Sequence, residues 1–258
     1  MMRIAAFQMK AGAVDQAANL ARIGNAARDA AAAGAEFLIT PELALPGYGA
    51  GDDMHRLARP PDGEIVAKLA LISLEAGIAV LAGFAEAAKG CAYNSAVFVD
   101  GRQEPVIYRK SHLYSDYERN LFAAEQPSAR IVQHGGIRIG ILICYDVEFP
   151  ENVRRLAQAG VDLVAVPTAL PTSDHAELIA RKMIPVRAFE NQVFVAYVNH
   201  CGADGLFSYA GLSTIAAPDG SLLAAADGPS EKLIFTDIRP QDFAASAAAN
   251  PYLRDLRP

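Results

Sequence analysis

One stretch constrains the fold more than any other: Gly136-Ile137-Arg138-Ile139-Gly140-Ile141-Leu142-Ile143-Cys144-Tyr145-Asp146-Val147-Glu148-Phe149-Pro150-Glu151. Its first half is apolar and β-branched, the pattern of a strand buried on both faces. Pro150 suits the first position of a helix, and Asn152-Val153-Arg154-Arg155-Leu156-Ala157 continues one until Gly160 stops it. A cysteine therefore falls on a strand-to-helix turn. In an α/β protein such a turn lies outside the carboxyl end of the sheet, where a nucleophile can be presented. The same residue could equally be a thiol packed as a small hydrophobe.

The flanking chain repeats the pattern. Residues 4–9, 36–40 and 78–84 read as strands. Between them lie one helix carrying Leu20, Ile23, Ala27 and Ala30 and capped by Gly34, and a second over 65–76 stopped by Gly77. This β-α-β-α-β order predicts parallel neighbours covered by helices. Residues 93–99 and 104–108 then form strands joined at Asp100-Gly101, a hairpin signal. The segment Asp116-Tyr117-Glu118-Arg119-Asn120 reads as loop. After the Cys144 unit come a strand over 161–167, a long helix over 176–191 with a bend at Pro185, and a strand over 193–199. Two strands flank Pro218-Asp219-Gly220, and Leu233-Ile234-Phe235-Thr236 closes the folded part. One sheet of so many strands would be very wide, so two packed sheets covered by helices are expected.

With 258 residues, 52% of them hydrophobic and 20% charged, the chain can bury a large core. It reads as one domain, with about 240–258 as an Ala- and Pro-rich C-terminal arm. A net charge of −6 argues against a nucleic-acid partner. No apolar run approaches the roughly 18 residues of a membrane span, and the start lacks a signal peptide's cleavage pattern. Cys91, Cys144 and Cys201 are odd in number and far apart, which suggests neither a disulfide framework nor a zinc site. The expectation is a cytoplasmic, reduced-thiol protein without membrane partners.

Three reactive groups stand where strands stop: Glu42, Lys110 and Cys144. Each has a plain alternative, as a solvated carboxylate, a surface cation or a packed thiol. Together they make a chemically complete set. A free thiol has a pKa near about 8.5, so activation needs a base or a nearby cation. A carboxylate supplies the base and then the acid that expels ammonia. An ammonium can stabilise a tetrahedral oxyanion, with the Tyr145 backbone N–H as second donor.

Pro41-Glu42, Tyr108-Arg109-Lys110-Ser111-His112-Leu113 and Leu142 to Glu151 resemble, in order, the three signatures of the nitrilase or carbon–nitrogen hydrolase superfamily. The resemblance implies an α/β fold, the four-layer α-β-β-α sandwich of the nitrilase type, and a Glu42-Lys110-Cys144 triad. It also implies a second active-site glutamate, at Glu118. It implies no metal, no organic cofactor, and a homodimer or larger homo-oligomer formed through the helical faces. Within the superfamily, the residues after Cys144 and the stretch Ala196 to Gly202 are most similar to bacterial aliphatic amidases. These include 5-aminopentanamidase and R-stereoselective amidases. The activity so implied is hydrolysis of a small aliphatic primary amide through a thioester. An ω-amidase and an N-carbamoyl hydrolase are alternatives, and a catalytically silent binding protein is the non-enzymatic one.

Further residues carry weaker expectations. Tyr48 would line the pocket mouth or pack on its own turn. Glu148 would approach the acyl side of a substrate or pair with Arg154 or Arg155, and Asp174 would add a second carboxylate. Asn199 would bind substrate or backbone. His112 is assigned a structural part, and Cys91 and Cys201 are assigned to packing.

Overall fold

The computed structural model describes residues 1–12 and 14–257. Fourteen strands run in chain order: β1 (Met2–Gln8), β2 (Phe37–Ile39), β3 (Ala79–Ala88), β4 (Cys91–Val99), β5 (Val106–Arg109), β6 (Ile131–His134), β7 (Ile137–Ile141), β8 (Leu163–Thr168), β9 (Phe194–Asn199), β10 (Cys201–Ala203), β11 (Ser208–Ala210), β12 (Thr214–Ala216), β13 (Leu222–Ala225) and β14 (Lys232–Ile238). They build two six-stranded sheets, ordered β14-β1-β2-β3-β4-β5 and β13-β12-β9-β8-β7-β6, and a separate β10-β11 ribbon. Each large sheet has a parallel centre, β1-β2-β3 or β7-β8-β9, flanked by antiparallel strands. The parallel centres follow from the β-α-β crossovers that the sequence predicts.

Side-chain alternation makes four layers from these two sheets. In β1, Ile4 and Ala6 point between the sheets, where they meet Phe37, Ile39, Ile139 and Phe194. Ala5 and Phe7 point the other way, onto Leu20, Ile23 and Ala27 of the helix Gln16–Ala32 and Leu69 of the helix Glu64–Ala76. The outer face of the second sheet lies beneath the helices Pro150–Gln158 and Ile184–Asn191 through Val153, Leu156, Ile184 and Ala188. Burial on both faces is why the central strands read as continuous apolar runs. The architecture is the four-layer α-β-β-α sandwich that the resemblance implies.

Local signals account for most boundaries. Asp15 caps the first helix by accepting hydrogen bonds from Ala17 N and Ala18 N, both 3.0 Å. Gly77 ends the helix Glu64–Ala76 with a left-handed φ of 68°.

Four details differ from the sequence reading. Residues read as loop form a helix, Ser115–Leu121. Strand β3 runs on to Ala88 and pairs with β4 through Lys89-Gly90, both at positive φ as a two-residue hairpin turn requires. The helix after Ala176 runs on to Asn191 but carries a π turn at Ile179–Met183, just upstream of Pro185. Cys91 is exposed at the start of β4 rather than packed, whereas Cys201 is buried. Residues 240–257 form short helical turns, with the Phe243 ring edge-on to Phe194 at 5.2 Å. Among the described residues no helix is long and apolar enough to cross a membrane.

Candidate active site

The site gathers where strands of both sheets end. Glu42 follows β2, Lys110 follows β5, and Cys144 follows β7. The Pro41-Glu42-Leu43 turn lies directly against β3 at Gly83. A Cβ there would sit 2.2 Å from Leu43 N and 2.6 Å from Pro41 O, so only glycine admits the turn. Leu45 N donates to Gly83 O at 3.0 Å, and Glu42 N reaches across to Thr168 O of the second sheet at 3.4 Å.

Lys110 is wholly buried, and its ammonium lies between two buried carboxylates. Nζ donates to Glu42 Oε1 and to Glu118 Oε1, each at 2.7 Å. The two glutamates differ in what else they hold. Glu118 Oε1 also accepts from Tyr48 OH at 2.9 Å, and Oε2 accepts from Tyr114 N at 2.8 Å. Glu42 Oε1 also accepts from Asn94 Nδ2 at 2.7 Å, while its Oε2 is buried without a partner. Both oxygens of Glu118 are therefore partnered, whereas Glu42 keeps one oxygen free.

These neighbours set the protonation states. Burial pushes the Glu42 carboxyl up to about 7, against the pull of Lys110. Burial works against the Lys110 ammonium, but Glu118 and Glu42 outweigh it and hold it well above the ordinary lysine range. Burial and the Glu42 carboxylate push the Cys144 thiol well above its usual value, with Lys110 and the Ala169 N–H opposing. The resting sulfur is thus a thiol, and a base rather than a preformed thiolate must activate it.

Cys144 sits at φ 45°, a left-handed conformation unusual for a residue with a side chain, and opens a 3₁₀ turn, Cys144–Glu148. Asp146, to which the sequence reading gave no part, braces that turn. Its carboxylate accepts from Ile143 N at 3.2 Å and Tyr108 OH at 2.8 Å. It also accepts from Ser111 N at 3.2 Å, Ser111 Oγ at 2.7 Å and His112 N at 2.8 Å. One buried carboxylate thereby ties the nucleophile turn to the loop that carries Lys110. His112 joins this network at 3.0 Å and stacks on Phe149 with ring centroids 4.0 Å apart.

A cavity of about 250 Å³ opens onto Cys144, with Tyr114, Tyr145, Glu148, Leu170, Pro171 and Ile179 among its walls. Among the described residues Glu148 is the one carboxylate lining it, half-buried, and burial raises its carboxyl against Lys110 and Arg187. Neither Arg154 nor Arg155 pairs with it, and Arg187 instead donates to the Glu148 backbone oxygen at 2.7 Å.

The other expected binding residues lie elsewhere. Tyr48 is buried behind the cluster, not at the cavity mouth, because its hydroxyl is taken by Glu118. Asp174 is exposed and off the wall, although Ser173 and His175 on either side line it. Asn199 is consumed by backbone: its Oδ1 accepts from Leu170 N at 2.7 Å, and its Nδ2 donates to Gly211 O at 2.6 Å. The hold of Tyr48 on Glu118 and of Asp146 on the Ser111-His112 loop arises only across the fold, and no local pattern marks either part. Among the described residues no group of three or more His, Cys, Asp or Glu could hold a metal ion.

Comparison with known proteins agrees with this geometry. The sequence pattern of the family described as carbon-nitrogen hydrolase matches residues 3–248. The chain is 41% identical to a Pseudomonas protegens protein described as a hydrolase in the pqqF 5′ region, covering 100% of this chain and 90% of that one. It is 34% identical to an (R)-stereoselective amidase of a Pseudomonas species, covering 99% and 92%. The NitN amidase of Nesterenkonia sp. AN1 superposes with a TM-score of 0.88 at 32% identity, covering 100% of this chain and 97% of that one. A variant of that amidase carries the acetamide moiety of fluoroacetamide covalently on its active-site cysteine. The chain belongs to the carbon–nitrogen hydrolase family, within the nitrilase superfamily.

Proposed function

We propose that the protein hydrolyses a small aliphatic primary amide to the carboxylic acid and ammonia through a thioester on Cys144. The observation that carries this reading is the buried Lys110 ammonium held between Glu42 and Glu118, with Glu42 Oε2 buried and left without a partner. Glu42 takes the thiol proton as the sulfur attacks the amide carbon. A lysine ammonium has three N–H donors, and two are committed to the glutamates. The third, with the Tyr145 backbone N–H, stabilises the oxyanion. Glu42 returns the proton to the departing ammonia, then draws one from water as it attacks the thioester. Glu118, held by Lys110, Tyr48 and Tyr114, keeps the lysine in place and receives the amide nitrogen on its remaining lone pair. The (R)-stereoselective amidase and the Nesterenkonia amidase among the relatives support this chemistry.

The lining of the cavity favours an ω-amino amide such as 5-aminopentanamide. Glu148 would pair with a distal ammonium, and an anionic tail would leave two carboxylates desolvated together. Ammonia release from 5-aminopentanamide, pentanamide and glutaramate tests the reaction and the preference at once. The expected order of kcat/KM is the order in which those amides are named. Glu148→Gln is expected to erase the advantage of the cationic amide while retaining turnover of pentanamide. A preference for glutaramate would favour an ω-amidase, carbon dioxide released from an N-carbamoyl substrate would favour a carbamoylase, and no ammonia from any amide would favour a silent binding protein.

A further inference from the structure

Behind Glu118 lies a chain of contacts that continues beyond Tyr48. The Tyr48 hydroxyl donates to the same Glu118 oxygen that receives Lys110 Nζ. Without that donor the carboxylate would keep only its Tyr114 N–H anchor and the lysine itself. Burial and the nearby Glu118 and Glu42 carboxylates push the Tyr48 hydroxyl well above the usual tyrosine range, so it stays a donor.

Tyr48 is gripped in turn. Its backbone oxygen accepts from Tyr117 OH at 2.6 Å, and its ring meets Phe207 at 5.4 Å and Tyr209 at 6.2 Å, both nearly edge-on. Next in sequence, Gly49 N donates to Asp204 Oδ2 at 3.1 Å. The approach is close enough that a Cβ at Gly49 would lie 2.3 Å from the Asp204 carboxylate. Asp204 belongs to the turn of the β10-β11 ribbon, where Oδ1 accepts from Leu206 N and Phe207 N at 2.8 Å and Oδ2 accepts from Tyr209 OH at 2.5 Å. The other edge of the ribbon holds the cavity wall, with Ala210 N donating to Leu170 O at 3.0 Å and Thr172 N to Ser208 O at 2.8 Å.

We propose that Tyr48 and Asp204 are positioning residues: the ribbon, gripping Gly49 through Asp204, holds the Tyr48 hydroxyl on Glu118 and so fixes the Lys110 ammonium relative to Cys144. The inference rests on the amidase reading. Its chemistry is geometric, since a small misplacement of a group that acts only in the transition state is felt in kcat rather than in binding.

The test compares Tyr48→Phe, Asp204→Asn and the double variant with the unmodified protein. Hydrolysis of pentanamide, alkylation of Cys144 by iodoacetamide followed by mass, and thermal midpoint are measured for each. Tyr48→Phe is expected to lower kcat about 10- to 100-fold with KM within about threefold, and to slow alkylation in step, at a near-native midpoint. Asp204→Asn is expected to act in the same direction. The double variant should be no worse than Tyr48→Phe alone by more than about twofold, because the two residues act in one chain. A Tyr48→Phe kcat within about twofold of the unmodified protein, a loss expressed only in KM, or losses that multiply in the double variant would overturn the proposal. If Asp204→Asn does not fold, Tyr48→Phe decides alone. If no amide is hydrolysed, the amidase reading fails, and the alkylation rates still say whether Tyr48 positions the lysine.

Discussion

Glu42 is held by opposing influences. Burial raises its carboxyl to about 7, and the Lys110 ammonium at 2.7 Å limits the rise. A carboxyl poised there can accept and return a proton near neutral pH. Only the ionised form can take the thiol proton, so kcat/KM should fall about tenfold per pH unit below about 7. A profile flat between about pH 5 and 8 would remove Glu42 from the role of base. Glu42→Gln should lower turnover by several orders of magnitude, as loss of one member of a jointly acting set does. At this scale the sequence was partly legible. Glu42, Lys110 and Cys144 stand out because each reactive type sits where an apolar run stops. Asp146 does not, and Tyr48 is read only as lining the cavity mouth or packing on its own turn, because Ser111 and Glu118, which reveal their parts, lie 35 and 70 residues away.

The elements that carry these residues are fixed by close approaches. Gly83 leaves room for the Glu42 turn, and Gly83→Ala would drive a methyl into Leu43 N and Pro41 O, backbone atoms that cannot swing aside. The expected result is a loss of about 1–3 kcal/mol in denaturant unfolding together with a fall in kcat, since the turn must shift. An unchanged stability and rate would show that the turn is not seated where the structure has it. The strand-turn-helix around Cys144 was legible from its apolar run, Pro150 and Gly160, signals that act over a few residues. The helix Ser115–Leu121 was not. It is one short turn-rich segment of mostly polar residues, and its two buried positions, Glu118 and Leu121, pair a carboxylate with one apolar residue. Helical periodicity cannot be seen in so few positions, and the helix exists because Lys110, Tyr48 and Tyr114 draw Glu118 inward. The β10-β11 ribbon was likewise hidden, since three-residue strands carry too little pattern to register.

For the whole molecule, the two-sheet sandwich brings a loop from each sheet to one place, so the site exists only when both sheets are packed. The outer helical faces keep apolar residues in water, including Leu178 and Val186 on the segment flanking the cavity wall residue Ile179. Pairing through those faces predicts a mass by light scattering of at least twice 27.4 kDa, and a monomer at micromolar concentration would contradict it. The proposed chemistry passes the acyl group through the Cys144 sulfur. Intact-protein mass spectrometry on samples quenched in acid during turnover of a primary amide tests it directly. The expected result is an adduct equal to the amide less ammonia, carried by the peptide containing Cys144, together with no adduct and no ammonia from Cys144→Ala. Ammonia released by Cys144→Ala at the unmodified rate, or steady turnover with the acyl group on any other residue, would contradict it.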